Sequence, residues 1–113
     1  MHEMSIAMGI IDIAEKQLTQ SGGQKVSEIE IEIGDLSGVE YHTLVKALEI
    51  AVKRTILEKA KLRMKRITAQ ALCSECGRTF NPKSLLEGCP HCNSYFYQLE
   101  SGKELRVKSL LVD

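Results

Sequence analysis

The 113-residue chain has no tryptophan, and aromatic residues make up only 4% of it. Its core must therefore be aliphatic, built from Ile, Leu, Val, Met and Ala. No apolar run approaches the roughly 18–20 residues that a membrane span needs. The first residues lack the basic stretch and cleavage site of a secretory signal, because His2 and Glu3 stand where Lys or Arg would be. Both absences predict a cytosolic protein. No catalytic triad, phosphate-binding glycine loop or open metal site is visible, which argues against an enzyme. Against these absences, apolar content of 43% is ordinary for a folded chain, and the length suits one domain or one small domain with a smaller lobe.

Net charge is also absent, but only on average. Residues 1–40 carry eight acids against Lys16 and Lys25, while residues 46–66 carry eight bases against Glu49 and Glu58. A basic segment of this kind could bind nucleic acid, with Lys59, Lys61, Arg63, Lys65 and Arg66 as the contact residues. The strand patterns offer another explanation. In SEIEIEIG, Ile29, Ile31 and Ile33 alternate with Glu28, Glu30 and Glu32, the period of a strand with one buried and one wet face. AKLRMKRI alternates Leu62 and Met64 with Lys61, Arg63 and Lys65. ELRVKSLLVD sets Leu105, Val107 and Leu111 opposite Arg106 and Lys108. An acidic strand flanked by basic ones would neutralise the charge within the fold, at roughly 0.2–1 kcal/mol per cross-strand pair.

Around these strands, residues 4–20 read as an amphipathic helix with Met4, Ala7, Met8, Ile11, Ala14 and Leu18 on one face, stopped by Gly22 and Gly23. A second helix is expected from about Glu40 to Leu57, with Tyr41, Leu44, Val45, Leu48, Ala51 and Val52 inward. The pattern predicts an α+β protein: a small antiparallel or mixed sheet with two helices, plus an inserted zinc-ribbon-like lobe carrying two CxxC knuckles. Residues 1–70, completed by the strand at 104–113, form the α/β domain in this reading, and residues 71–103 the inserted one.

All four cysteines of the chain lie in that lobe, as Cys73-Ser-Glu-Cys76 and Cys89-Pro-His-Cys92, twelve residues apart. Two such pairs supply the four thiolates that tetrahedral zinc takes at about 2.3 Å. Gly77 and Asn93 follow the pairs and tolerate the positive φ that lets backbone N–H groups turn toward sulfur. Disulfides suit an oxidising compartment, and an iron–tetrathiolate centre would use the same ligands. Zinc is the better fit to the doubled spacing. Four protein ligands leave no place for a substrate water, so the site is expected to be structural. The lobe has few large apolar residues, so metal must supply much of its stability.

The start of the chain, MHE, places two metal ligands where chains usually fray. A second residue as large as His blocks methionine removal, so Met1 is expected to keep its free α-amine. That amine and the His2 backbone nitrogen can close a five-membered chelate ring, and the His2 backbone nitrogen with its Nδ1 a six-membered one. Nitrogen donors in a plane suit Ni(II) or Cu(II).

MHE at the terminus, EIGDLSGVE at 32–40, the paired knuckles with CPHCNS at 89–94, and SGKELRVKSL at 101–110 together resemble the HypA/HybF family of nickel metallochaperones, over nearly the whole chain. The resemblance implies a nickel-binding α/β domain, a structural zinc domain, and delivery of nickel for maturation of [NiFe] hydrogenase, in some organisms also of urease. It implies a hydrogenase-maturation GTPase and the hydrogenase large-subunit precursor as partners; the residues themselves point to no nucleic acid and no membrane, and leave monomer or homodimer open. It places nickel on His2, through backbone and imidazole nitrogens, with Glu3 beside it and Glu40 as a further carboxylate; Asp35 is another candidate. By its position alone, Glu40 reads as a residue favoured by the dipole at a helix N-terminus. His42 reads as a surface residue, and His91 as a group able to sense pH near zinc or lend nickel a transient ligand. The competing reading is a zinc-ribbon module that binds nucleic acid or protein.

Overall fold

A computed structural model describes residues 2–113. The elements run α1 (Glu3–Ser21), β1 (Val26–Gly34), α2 (Tyr41–Ala51), β2 (Lys61–Ile67), β3 (Gln70–Cys73), β4 (Thr79–Phe80), β5 (Tyr97–Ser101) and β6 (Leu105–Val112). The strands form two three-stranded sheets, ordered β2-β1-β6 and β4-β3-β5. The expected α+β class holds. Among the described residues, no helix is long and apolar enough to cross a membrane.

The chain divides into two compact units. The first comprises residues 2–32, Val39–Lys65 and Arg106–Asp113, and the second Ile33–Gly38 and Arg66–Leu105. In the first unit α1 packs on α2. Its core is aliphatic, as the missing tryptophan requires: Ala7, Ile10, Ile11, Ala14 and Leu18 from α1, Ile29 and Ile31 from β1, and Leu44, Ala47 and Leu48 from α2 are all buried. Each fully buried Ile or Leu contributes about 1.5–3 kcal/mol over an exposed one. Two expectations for the helices need correction. Met8 is 61% exposed and Met4 is also exposed, while Ile10 enters the core; the buried stripe is rotated from the one the Met residues suggested. Also, α2 ends at Ala51 rather than Leu57. There Thr55 takes the Val52 carbonyl with both its N–H (3.0 Å) and its hydroxyl (2.6 Å), and Arg54 turns to a φ of 64°.

The charge alternation resolves within the sheet. Arg63 of β2 bonds Glu28 of β1 at 3.1 Å, and Arg106 of β6 bonds Glu32 at 2.6 Å. Glu32, expected on a wet face, is only 6% exposed. The Arg106 guanidinium holds its carboxyl below the ordinary carboxylate value.

In the second unit β3 pairs antiparallel with both β4 and β5, Ala71 facing Phe80 on one side and Leu99 on the other. Ala71, Cys73, Phe80 and Cys89 form a small core against which Tyr97 and Leu99 pack. The Phe80 and Tyr97 rings meet edge to face at 5.1 Å. The Tyr97 hydroxyl donates toward the Leu85 and Glu87 carbonyls at 3.3 and 3.0 Å, tying the loop before the second knuckle to β5. Gly34, in this unit, has backbone too close for any side chain: a Cβ there would strike the Gly102 carbonyl.

Candidate metal centres

Each cysteine pair is held by the same backbone pattern. The Cys73 N–H bonds the Arg78 carbonyl at 2.9 Å, and the Gly77 N–H returns to the Cys73 carbonyl at 3.0 Å. In the second pair the Cys89 N–H bonds the Ser94 carbonyl at 2.8 Å and the Asn93 N–H returns to the Cys89 carbonyl at 2.7 Å. The closing residues, Gly77 and Asn93, have φ of 73° and 62°, the left-handed region that glycine and asparagine enter most readily. The tight turn brings N–H groups onto sulfur: Cys76 N–H lies 3.5 Å from the Cys73 Sγ, and His91 N–H 3.4 Å from the Cys89 Sγ.

The two turns bring all four Sγ atoms within 4.8 Å of one another. Cys73 and Cys92 sulfurs are 3.5 Å apart, and Cys76 and Cys89 sulfurs 3.8 Å apart. A tetrahedron of Zn–S bonds near 2.3 Å has edges of about 3.8 Å, so the set fits zinc as it stands. Cys73 and Cys89 are buried in the small core, while Cys76 and Cys92 face solvent. The thiols are strongly differentiated. The Cys76 N–H leads in bringing Cys73 down to about 7. At Cys92 the Ser94 N–H pulls downward, but desolvation and the bonds to Cys73, Cys76 and Cys89 outweigh it and push the thiol up to about 12. A dication among the four thiolates relieves this competition.

The N-terminal candidates lie in the first unit. His2 is exposed at the N-cap of α1, and its carbonyl accepts the Ile6 N–H at 3.2 Å. Backbone N–H groups at this end of a helix have no intrahelical acceptor. Met1 and its α-amine lie outside the described residues. Glu3 reaches across 37 positions of sequence to α2, its Oε2 accepting the Glu40 N–H at 3.2 Å. That bond, with Glu3's own N–H, holds the Glu3 carboxyl below its ordinary value. Glu40 is the N-cap of α2: its carboxylate accepts the His42 N–H at 2.6 Å and the Thr43 hydroxyl at 3.3 Å. Thus Glu3 and Glu40 meet at one helix N-terminus. Asp35 is exposed in the second unit, where its N–H bonds the Ile67 carbonyl at 2.9 Å. His42 stacks edge-on against Tyr41, and the His91 Nδ1 lies 3.5 Å from the Arg78 guanidinium.

Two participants escaped the sequence reading. Thr43 holds the second oxygen of Glu40, which the spacing Glu-x-x-Thr at a helix start could have suggested as a reversed capping box. Arg78, one residue past Gly77, could not have been connected to His91 without the fold.

The family model described as hydrogenase/urease nickel incorporation, metallochaperone, HypA, matches residues 1–112. The chain belongs to the HypA family. It is 46% identical over 112 residues to the hydrogenase maturation factor HypA of Parabacteroides distasonis, covering 99% of this chain and 97% of that relative. It is 40% identical to the factor of the same name from Chlorobaculum parvum, over the full length of both. In fold it matches the solution structure of the Ni metallochaperone HypA from Helicobacter pylori, with a TM-score of 0.69 at 24% identity over 99% of this chain and 97% of the other. HypA is a family of metallochaperones for hydrogenase maturation and not of enzymes.

Proposed function

We propose that this member of the family takes up Ni(II) at Met1-His2-Glu3 and delivers it for maturation of [NiFe] hydrogenase, with urease as a further destination where the cell makes one. His2 supplies its backbone and imidazole nitrogens, Glu3 lies beside them, and Glu40 is a third participant. Cys73, Cys76, Cys89 and Cys92 hold a resident zinc whose part is to stabilise the lobe. Nickel function is assigned to residues 1–70 with 104–113, and zinc function to residues 71–103. The partners are the hydrogenase-maturation GTPase and the hydrogenase large-subunit precursor, and the setting is the cytoplasm.

The observation that carries the reading is the bond from the Glu40 N–H to Glu3. It ties the first turn of α1 to the N-terminus of α2 without closing a cage around the ion. Glu40 is already engaged as a cap, so using it as a ligand competes with a cap bond of about 1 kcal/mol. A ligand set that includes a chain end and a competing cap releases its ion more readily than a closed set does. That is the property a donor of nickel needs. The nucleic-acid reading is weakened by Arg63 and Arg106, which are bonded to carboxylates of β1.

Calorimetric nickel titration of the zinc-loaded protein tests this. The native chain should bind specifically, and both a version with extra residues before Met1 and His2→Ala should lose that binding with zinc content unchanged. Equal binding by all three would reject the terminal site.

A further inference from the structure

Residues 71–103 hold few large apolar side chains, yet four of them face solvent: Leu85 is 50% exposed, Leu86 86%, Tyr95 70% and Phe96 71%. A lobe this short of core gains no stability from apolar side chains left in water. Tyr95 and Phe96 follow the second knuckle and line a groove of about 540 Å³ with Glu75, Cys92, Asn93 and Ser94. Leu85 and Leu86 stand in the loop before Gly88, which lies against Tyr95: a Cβ at Gly88 would come within 3.3 Å of the ring. The aromatic pair is held in place by backbone. The Phe96 N–H donates to the Ser94 hydroxyl at 3.0 Å, and the Phe96 carbonyl accepts the Ser74 N–H of the first knuckle at 2.9 Å. None of the residues lining the groove is cationic. Among the described residues no cation pairs with Glu75, and Arg78, the cation closest to it in sequence, is turned toward His91. Cys92 adds to the negative sign, because four thiolates around one dication keep a net negative charge.

We propose that this groove is a docking site for a partner protein, and that it receives an arginine side chain of that partner with an apolar residue beside it. A guanidinium stacks on aromatic faces while its N–H groups donate in the plane of the group. Tyr95 and Phe96 supply the faces and Glu75 the carboxylate. Leu85 and Leu86 offer a seat for the apolar neighbour. Charge complementarity selects the occupant. Nucleic acid and anionic lipid carry the wrong sign for a groove whose charged groups are a carboxylate and a thiolate. A plain apolar partner would leave the Glu75 carboxylate without a counter-charge. The groove lies in the second unit, and the proposal stands whether or not nickel binds at Met1-His2-Glu3.

Two-dimensional NMR of the zinc-loaded, nickel-free full chain is the test. The probes are the capped peptide Ala-Arg-Leu-Ala and versions with lysine, norleucine or glutamate in place of arginine. The arginine peptide should shift the amide signals of Glu75 and Asn93–Phe96 saturably, with a Kd on the order of 1 mM. The lysine peptide should bind about two- to threefold more weakly, and the norleucine and glutamate peptides about tenfold or more. Glu75→Gln should weaken arginine-peptide binding about two- to fivefold. Tyr95→Leu with Phe96→Leu, which keeps the groove apolar but removes the rings, should weaken it about threefold or more. Zinc content and signal dispersion of each variant confirm that the lobe remains folded. An arginine peptide that leaves these amides unmoved overturns the proposal. So does a norleucine peptide that binds as tightly, or arginine-peptide binding unchanged in both variants. Signals of the same residues that move with protein concentration alone would assign the groove to a second copy and overturn it as well.

Discussion

The cysteine cluster and the N-terminal carboxylates differ in nearly every respect that matters to a metal ion. The cluster takes four identical soft donors from two turns with the same hydrogen-bond pattern, two of them buried in a core of their own. The N-terminal group combines an exposed imidazole at a chain end with two carboxylates that already serve helix α2. One arrangement is built before the ion arrives and encloses it. The other, in the proposed reading, would assemble from groups that already have partners in the fold. Closure and donor type separate a resident ion from a delivered one more clearly than affinity alone does, because a delivered ion must also leave.

The largest effect that can sharpen this contrast is zinc removal. Cys73→Ser or Cys89→Ser, or exhaustive chelation, should abolish ordered structure in residues 71–103 while α1 and α2 persist. Two-dimensional NMR would report loss of dispersed signals from one lobe only, and a uniform loss would show that the units do not stand apart. Next in size is Leu48→Ala, which empties a fully buried position of α2. It should cost about 2–5 kcal/mol in denaturant melts of the first unit and leave zinc content at one ion per chain.

A third effect is in pH. Zinc must displace protons from thiols such as Cys92, held up to about 12, whereas Cys73 near 7 is partly ionised already. Apparent zinc affinity should therefore fall as pH falls below 7, by more than about one decade per unit because more than one proton returns. A pH-independent affinity would contradict the thiolate account. The smallest effect is at the cap: Glu40→Ala should cost α2 about 0.5–1 kcal/mol and weaken nickel binding, while Glu40→Asp should recover the cap. Equal nickel binding by the alanine variant would confine Glu40 to capping.

The two regions also differed in how much of them could be read beforehand. The knuckles were legible because everything they need is local: the CxxC spacing, and Gly77 and Asn93 where the turn demands a positive φ. The alternations of SEIEIEIG, AKLRMKRI and ELRVKSLLVD were equally local and gave β1, β2 and β6, although Leu111, expected inward, is 57% exposed because the period breaks at Ser109. What the letters hid depends on contacts distant in sequence. Glu32 has the period of a wet residue, yet Arg106, 74 residues away, covers it. The bond between Glu3 and Glu40 spans α1 and β1 and leaves no periodic trace. The early end of α2 turns on Thr55 and Arg54 choosing a turn where apolar spacing would have allowed another helical turn. Ile10 replaces Met8 in the core because adjacent stripes on α1 are both apolar, and only packing against α2 chooses between them.

The central claim is that one chain keeps zinc and gives up nickel. The most direct measurement loads the protein with one equivalent of each, adds a chelator, and follows both ions with time by mass spectrometry beside the fold of the zinc lobe. The account predicts that nickel leaves first and completely while zinc and the lobe remain. Loss of both ions together, or of zinc before nickel, would contradict it.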